Sequence, residues 1–187
     1  MERDAAALAA RIAAELGRLA CGPAAEAMRR RGADYRVIYG VQLPLVEAVA
    51  ARYAGLPGAC EAAAELARRP ERESRLAALM LAVPETAAGG DWDEWICGPE
   101  TAEAFARYVL GRLPGWEDAA LAAAEGAAGP LHVYAALLAA ARAAMEGRSM
   151  DAERWKAAAE RASAEGGLAA RAAETLAANL DWAEGNG

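Results

Sequence analysis

Apolar side chains recur along the chain at helical spacing, and short polar breaks interrupt them. Around residues 71–82 the larger apolar residues fall at positions 76, 79, 80 and 83, and acidic residues occupy the start of the segment. This i, i+3, i+4, i+7 spacing places apolar side chains on one face of a helix, and acids stabilise the positive N-terminal end. The pattern therefore predicts a short helix with one buried face.

Proline and glycine divide the whole chain into helices of this kind. Proline is favoured in the first turn of a helix, and glycine is favoured just beyond its last turn. We expect an N-terminal helix within residues 1–22, a loop at 84–90, a short helix at 92–95 and a frayed tail at 185–187. The remaining breaks predict helices at 23–31, 44–54, 57–68, 71–82, 100–113, 116–127, 131–146, 151–165 and 168–184.

The composition supports an all-α fold. Of the 187 residues, 56 are alanine, but only seven are valine, three isoleucine and three threonine. Alanine has the highest helix propensity, whereas β-branched residues dominate strands. Helix pairs that recur about every 28–37 residues are typical of an α-solenoid. We therefore expect an α-α superhelix of about ten or eleven helices in antiparallel pairs, as one domain over residues 1–187, rather than a globular bundle.

Hydropathy and cysteine usage predict a cytoplasmic protein. Every run of eighteen residues contains charge, so a membrane span is not expected. The first residues include acids and lack the hydrophobic stretch that is typical of a signal peptide. Cys21, Cys60 and Cys97 are far apart and odd in number, which favours reduced thiols over disulfides or a metal site.

The net charge of −7 is unevenly distributed. Residues 1–75 contain 12 basic and 10 acidic residues, a balance of +2, whereas residues 76–187 contain 8 and 17, a balance of −9. Arginine supplies 19 of the 20 basic residues, and arginine binds phosphate well. A GC-rich genome produces the same excess of arginine and alanine, so arginine richness alone is a weak indication of DNA binding.

Residues 33–53 carry a resemblance to a known family. Tyr39-Gly40-Val41 forms an aromatic-Gly-Val turn, and residues 44–50 form a proline-led helix start with regularly spaced apolar residues. This segment resembles the N-terminal repeat of the HEAT-like DNA alkylation repair family, typified by bacterial alkylpurine DNA glycosylases. Later helix pairs are similar to the following repeats, so the resemblance covers roughly residues 25–147.

The resemblance implies a fold, a partner and an activity. It implies a right-handed solenoid of HEAT-like helix pairs, with a concave surface whose arginines face the backbone of duplex DNA. Active members of the family excise purines alkylated at N3 or N7, and a carboxylate with nearby aromatic residues stabilises the cationic sugar. The family needs no metal ion and no organic cofactor.

The sequence departs from the family pattern at the catalytic positions. Active members carry a Trp-Asp-x-x-Asp-like stretch, and the corresponding residues here are Pro99 to Glu103. Glu103 stands where the resemblance places the catalytic carboxylate, but Pro99 replaces an aromatic residue. The resemblance also implies an arginine near residues 132–134, which are His, Val and Tyr. These departures leave DNA glycosylase activity open and favour an inactive member.

Each candidate site residue also has a structural interpretation. Glu103 is the candidate catalytic residue, or it stabilises the N-terminal end of its helix. The alternatives for the DNA-binding candidates are pairing with neighbouring glutamates for the arginines and a place in the core for the tryptophans. These candidates are Arg68, Arg69, Arg72, Arg75, Trp92 and Trp95. The alternative function is a non-catalytic α-solenoid scaffold whose acidic half binds a basic protein partner.

Overall fold

The computed structural model describes residues 2–126 and 129–185, with side chains for residues 4–126 and 129–183. Helices dominate this part of the chain, which confirms the all-α class expected from the sequence. Its α-helices are α1 (Glu2–Arg18), α2 (Gly22–Arg30), α3 (Leu43–Tyr53), α4 (Ala59–Ala67), α5 (Arg72–Leu81), α6 (Pro84–Gly89), α7 (Pro99–Tyr108), α8 (Trp116–Glu125), α9 (Pro130–Met145), α10 (Ala152–Glu165) and α11 (Gly167–Gly185). Two 3-10 turns, Trp92–Glu94 and Leu110–Arg112, lie between them.

Three of the predicted elements differ from the structure. The short helix expected at 92–95 is the 3-10 turn Trp92–Glu94. Residues 84–90, expected as a loop, contain the short helix α6, because Pro84 fits the first turn of a helix. The helix expected at 100–113 ends at Tyr108, and Val109 (φ −102°, ψ −71°) leads into a 3-10 turn containing Gly111. β-Branched residues and glycine are both poor helix formers, which explains the break.

The two ends of the chain match the predictions in part. The first helix, expected within residues 1–22, ends at Arg18. The last helix extends to Gly185, the first residue of the expected frayed tail, and residues 186–187 lie outside the described residues.

Within the part of the chain that the structure describes, no helix combines the length and the apolar character needed to cross a bilayer.

The helices group into two compact units, Met1–Thr86 and Ala87–Gly187. In the first unit α1 packs on α3, α4 and α5, and α4 packs on α5. Ile12, Leu16 and Leu76 are fully buried among these helices. A single domain over the whole chain stays a prediction.

Helix α9 is the centre of the second unit, where it packs against α7, α8, α10 and α11. Seven of the ten buried residues of α9 are alanine. Small side chains let neighbouring helices approach closely, towards the short end of the usual range of about 8–10 Å between axes. Large side chains on those neighbours, including Phe105, Trp155 and Leu176, are fully buried. The alanine-rich helix therefore serves as a common packing surface for four others.

A buried carboxylate ties the segment before α3 to the start of α5 in the first unit. The Glu73 carboxylate accepts hydrogen bonds from the backbone N–H groups of Tyr39 (3.0 Å), Gly40 (2.9 Å) and Val41 (3.1 Å). Arg72 donates to the same carboxylate (3.2 Å) and to the carbonyl oxygen of Val41 (3.0 Å). Both charged side chains are almost completely buried, so each depends on the other and on these backbone groups.

Gly40 is required by the geometry of this turn. Its φ of +79° lies in the left-handed region, where side chains other than glycine are strained. A Cβ atom at this position would lie 2.3 Å from the carbonyl oxygen of Cys21 and 2.5 Å from the nitrogen of Ala25. Both obstacles are backbone atoms that cannot rotate away. The Tyr39-Gly40-Val41 turn therefore reflects a close approach of two backbone segments.

Replacing Gly40 with alanine is expected to destabilise the protein by about 2–5 kcal/mol, because backbone strain and steric overlap add together. Gly32 is a matched control, since its φ is also positive (+92°) but no atom lies within 4 Å of its Cβ position. Gly32→Ala should cost only about 1–2 kcal/mol. Urea denaturation followed by circular dichroism measures both, and equal shifts in the midpoint would contradict the close approach at Gly40.

Candidate functional site

A groove of about 340 Å³ lies between α7 and α9 in the second unit. Residues four positions apart on a helix project from the same face. This spacing occurs at positions 103 and 107 on α7, and again at 134, 138 and 142 on α9. The residues that line the groove are Glu103, Ala106, Arg107, Tyr134, Leu138 and Arg142. The groove thus combines a carboxylate, a phenol and two guanidinium groups on an apolar base.

The central contact of the groove joins Glu103 to Tyr134. The Tyr134 hydroxyl donates a hydrogen bond of 2.9 Å to Glu103 Oε1. Tyr134 is only 8% exposed, whereas Glu103 is exposed at the surface of α7. Hydrogen bonds to charged groups contribute about 1.5–3 kcal/mol, which is comparable to the entropy cost of ordering a glutamate side chain. The contact therefore joins a buried phenol to a carboxylate on an exposed residue.

The environment of Tyr134 keeps its hydroxyl protonated. Burial disfavours the phenolate, and the hydrogen bond to the negative Glu103 carboxylate acts in the same direction, so that together they raise the pKa of Tyr134 to about 12. The positive charge of Arg171, on α11, opposes this rise. Tyr134 is therefore a neutral hydrogen-bond donor over the whole physiological range of pH.

The arginines of the groove are exposed and engage neighbours on their own helices. Arg142 Nε donates to Glu146 Oε1 at 2.6 Å, and both side chains are about half exposed (47% and 42%). The guanidinium of Arg107 lies 5.0 Å from the centre of the Tyr108 ring. Exposed ion pairs of this kind contribute at most about 1 kcal/mol, so Arg142 can exchange its partner at low cost.

Trp92 and Trp95 lie in the core of the second unit, at 7% and 8% exposure. Trp92 Nε1 donates to the carbonyl oxygen of Ala88 at 3.0 Å, and its ring centre lies 4.7 Å from that of Phe105. Stacking on a nucleic acid base requires an exposed ring face. The structure places both tryptophans where the core interpretation expects them, and their role in DNA binding stays a prediction.

His132 packs against Trp92 and is mostly buried. Its side chain is 14% exposed, and its Nε2 atom lies 2.9 Å from Asp93 Oδ1. The ring centres of His132 and Trp92 are 5.5 Å apart. Among the described residues, no three histidine, cysteine, aspartate or glutamate side chains form a group that could hold a metal ion.

The four predicted DNA-binding arginines of the first unit have different environments. Arg68 is 61% exposed and pairs with Glu65 at 3.3 Å. Arg69 binds Glu71 through two hydrogen bonds of 3.0 Å. Although burial acts to raise the pKa of Glu71, these hydrogen bonds outweigh it and the pKa of Glu71 is lowered overall. Arg69 and Glu71 therefore form a persistent ion pair.

Of the other two arginines of this set, Arg72 is buried and Arg75 is half-buried. Arg72 is buried against Glu73, as described above, so its guanidinium has no surface on which to meet a phosphate. Arg75 Nε donates to the carbonyl oxygen of Arg69 at 2.9 Å, which closes the turn between α4 and α5. The structure thus brings these residues together as a structural cluster in which Arg68 is the most exposed member.

A comparison with known protein families found a match. A family model described as DNA alkylation repair enzyme matches residues 12–119, which is more than half of the chain. The chain belongs to the DNA alkylation repair enzyme family. The match to this family includes α7 and Glu103 but ends before α9, so Tyr134 lies outside it. Comparisons with curated proteins and with solved structures found no match.

Sequence reasoning named Glu103 as a candidate catalytic residue, which stays a prediction, and did not point to the other residues that line the groove. The family pattern implies an arginine near residues 132–134, and the structure has the Tyr134 hydroxyl bonded to Glu103 there instead. The regular spacing of Tyr134, Leu138 and Arg142 was visible in the sequence. It did not show that this face of α9 lies beside α7, because helix pairing is decided by tertiary packing.

Replacing Glu103 with glutamine is expected to lower the pKa of Tyr134 below about 12, because the neutral amide removes the negative charge beside the phenol. Burial persists, so the pKa should remain above the usual value of about 10. Because folding raises the pKa of Tyr134, the protonated phenol stabilises the folded protein. This contribution is complete below about pH 10 and is lost as the pH rises towards 12. Phenolate absorbance during alkaline titration measures the shift.

The titration curve of Tyr134→Phe, subtracted from that of the unchanged protein, gives the contribution of Tyr134. An unchanged Tyr134 pKa in Glu103→Gln would contradict the hydrogen bond as the structure shows it.

Proposed function

We propose that the protein binds duplex DNA containing an alkylated purine through the groove between α7 and α9. The observation that carries this proposal is the exposed Glu103 carboxylate, which accepts a hydrogen bond from Tyr134 in a groove that Arg107 and Arg142 also line, at the position where the family resemblance places the catalytic acid. Membership of the DNA alkylation repair enzyme family supports the choice of DNA as the partner.

The negative charge of the Glu103 carboxylate suits the positive charge of such a ligand. A purine alkylated at N3 or N7 is positively charged, and Glu103 attracts this charge. When the bond between the base and C1′ breaks, its electron pair leaves with the base, and a positive charge develops on the sugar until water adds to C1′ and loses a proton. A carboxylate aimed at that charge stabilises the transition state, most strongly after bound DNA excludes water.

The guanidinium groups of the groove suit the phosphates beside the lesion. Arginine binds phosphate through two parallel hydrogen bonds. Arg142 would exchange its exposed partner Glu146 for a phosphate, and Arg107 lies on the opposite wall of the same groove. In the first unit, Arg68 is the most exposed of the predicted DNA-binding arginines and would contact the backbone separately.

Binding to a duplex that carries an alkylated purine is expected to weaken with salt, because each neutralised phosphate adds about 0.9 to the slope of log K against log salt. Arg107→Gln and Arg142→Gln should each reduce this slope by about 1. Arg161→Gln is the matched control, since Arg161 is an exposed arginine on α10 that does not line the groove. Fluorescence anisotropy over a salt series gives the slopes.

Failure to bind DNA at about 50 mM salt, where electrostatic binding is strong, would overturn the proposed function. Equal effects of Arg161→Gln and the groove variants would show that DNA binds elsewhere.

Release of the alkylated base from such a duplex is expected to depend on Glu103. Glu103→Gln keeps the size of the side chain but removes its charge, and the loss of one such electrostatic group lowers rates by about 10²–10³-fold. Glu160→Gln makes the same charge change at an exposed position of α10 and should leave the rate unchanged. Chromatography of the freed base under single-turnover conditions measures both, and equal rates for the two variants would contradict a role for Glu103.

A non-catalytic scaffold is the second candidate function. The balance of −9 over residues 76–187 favours it, because such a surface attracts a basic partner and repels DNA. The salt series distinguishes the two, since the scaffold predicts no DNA binding even at low salt.

A further inference from the structure

We propose that Tyr134 is a positioning residue that holds the Glu103 carboxylate towards the groove and away from competing partners. The inference rests on the proposed function, because the orientation of the Glu103 carboxylate matters for a nucleotide bound in the groove. Tyr134 itself need not touch the DNA. Its effect would be exerted through Glu103.

The two residues differ in how tightly they are packed, which supports the inference that Tyr134 orients Glu103 and not the reverse. Tyr134 is 8% exposed and lies in the packed part of α9, so its ring is fixed by the surrounding helices. Glu103 is exposed on α7 and has three rotatable side-chain bonds. Because the donor cannot move and the acceptor can, the 2.9 Å hydrogen bond selects one orientation of the glutamate.

The alternative partner for Glu103 is on its own helix. Arg107 follows Glu103 by four residues and lines the same groove. Glutamate and arginine at this spacing, with the glutamate first, attract each other on a helix surface. An ion pair between them would neutralise the carboxylate and occupy the guanidinium that is proposed to bind phosphate. The Tyr134 phenol competes with this pairing and leaves the negative charge of the Glu103 carboxylate available.

The Tyr134 phenol is neutral, and this affects the charge of the groove. The phenol hydrogen-bonds to the carboxylate without cancelling its charge, whereas a guanidinium at the same place would cancel it. The pKa of Tyr134, raised to about 12, keeps the phenol protonated at every pH at which DNA remains a duplex. Tyr134 therefore orients Glu103 and preserves its attraction for a cation.

The test compares Tyr134→Phe, Glu103→Gln and the double variant in single-turnover base release and in DNA affinity. Phenylalanine keeps the packed ring and removes only the hydroxyl. We expect Tyr134→Phe to lower the rate by roughly tenfold or more, in line with loss of a hydrogen bond to a charged group. The affinity for DNA should stay within about twofold. The double variant should be no slower than Glu103→Gln, because the two residues act as one unit.

Tyr53→Phe is the matched control. The Tyr53 hydroxyl donates a 2.6 Å hydrogen bond to Glu15 in the first unit, so this variant loses the same kind of contact outside the groove. Its rate should match that of the unchanged protein. A purely structural role for Tyr134 would instead lower DNA affinity and thermal stability together.

The orientation of Glu103 is also measured directly, without reference to activity. In the unchanged protein, a nuclear Overhauser effect should connect the Glu103 side chain to the ring of residue 134, and in Tyr134→Phe it should disappear although the ring remains. Persistence of this contact in Tyr134→Phe overturns the inference. So does an unchanged rate in Tyr134→Phe when Glu103→Gln is inactive, a result that leaves the proposed function intact. If no variant releases a base, the proposed excision fails, and the Overhauser contact alone decides the role of Tyr134.

Discussion

Close packing around α9 is the constraint on which the second unit depends. Alanine supplies seven of its ten buried residues, so α7, α8, α10 and α11 can all lie against one helix. Tyr134 is a large exception among these small residues. Its phenol meets Glu103 because α7 approaches closely enough for a 2.9 Å hydrogen bond. A larger side chain on this face of α9 would push α7 outwards and separate the two groups.

The first unit uses its charged residues in a different way. Glu73 and Arg72 are buried together, and their hydrogen bonds hold the Tyr39-Gly40-Val41 turn in place. This turn is the part of the sequence that carried the resemblance to DNA alkylation repair proteins. Its residues are explained by the fold, because Gly40 and Glu73 permit two backbone segments to approach. The arginine richness of the first unit therefore reflects structure as well as surface charge.

The all-α class and most helices follow from the sequence, because alanine content, apolar spacing and Pro or Gly breaks all act locally. The errors arose where local signals were balanced, as at the short helix α6 and at Val109. Glu103 could be named as a candidate because the family resemblance points to it. Tyr134, Arg107 and Arg142 could not, since only the packing of α9 against α7 brings them to Glu103. The burial of Arg72 could not be predicted from the sequence either, because it depends on backbone groups about thirty residues away in the chain.

In the proposed complex, a lesion in DNA lies at the Glu103–Tyr134 contact, and the arginines beside it hold phosphates. The decisive experiment is a crystal structure of the protein with a duplex that contains a stable, positively charged analogue of an alkylated nucleotide. We expect the cationic ring or sugar within hydrogen-bonding distance of the Glu103 carboxylate, with Tyr134 still hydrogen-bonded to it and phosphates at Arg107 and Arg142. A complex in which the DNA leaves this groove empty would contradict the proposed binding site.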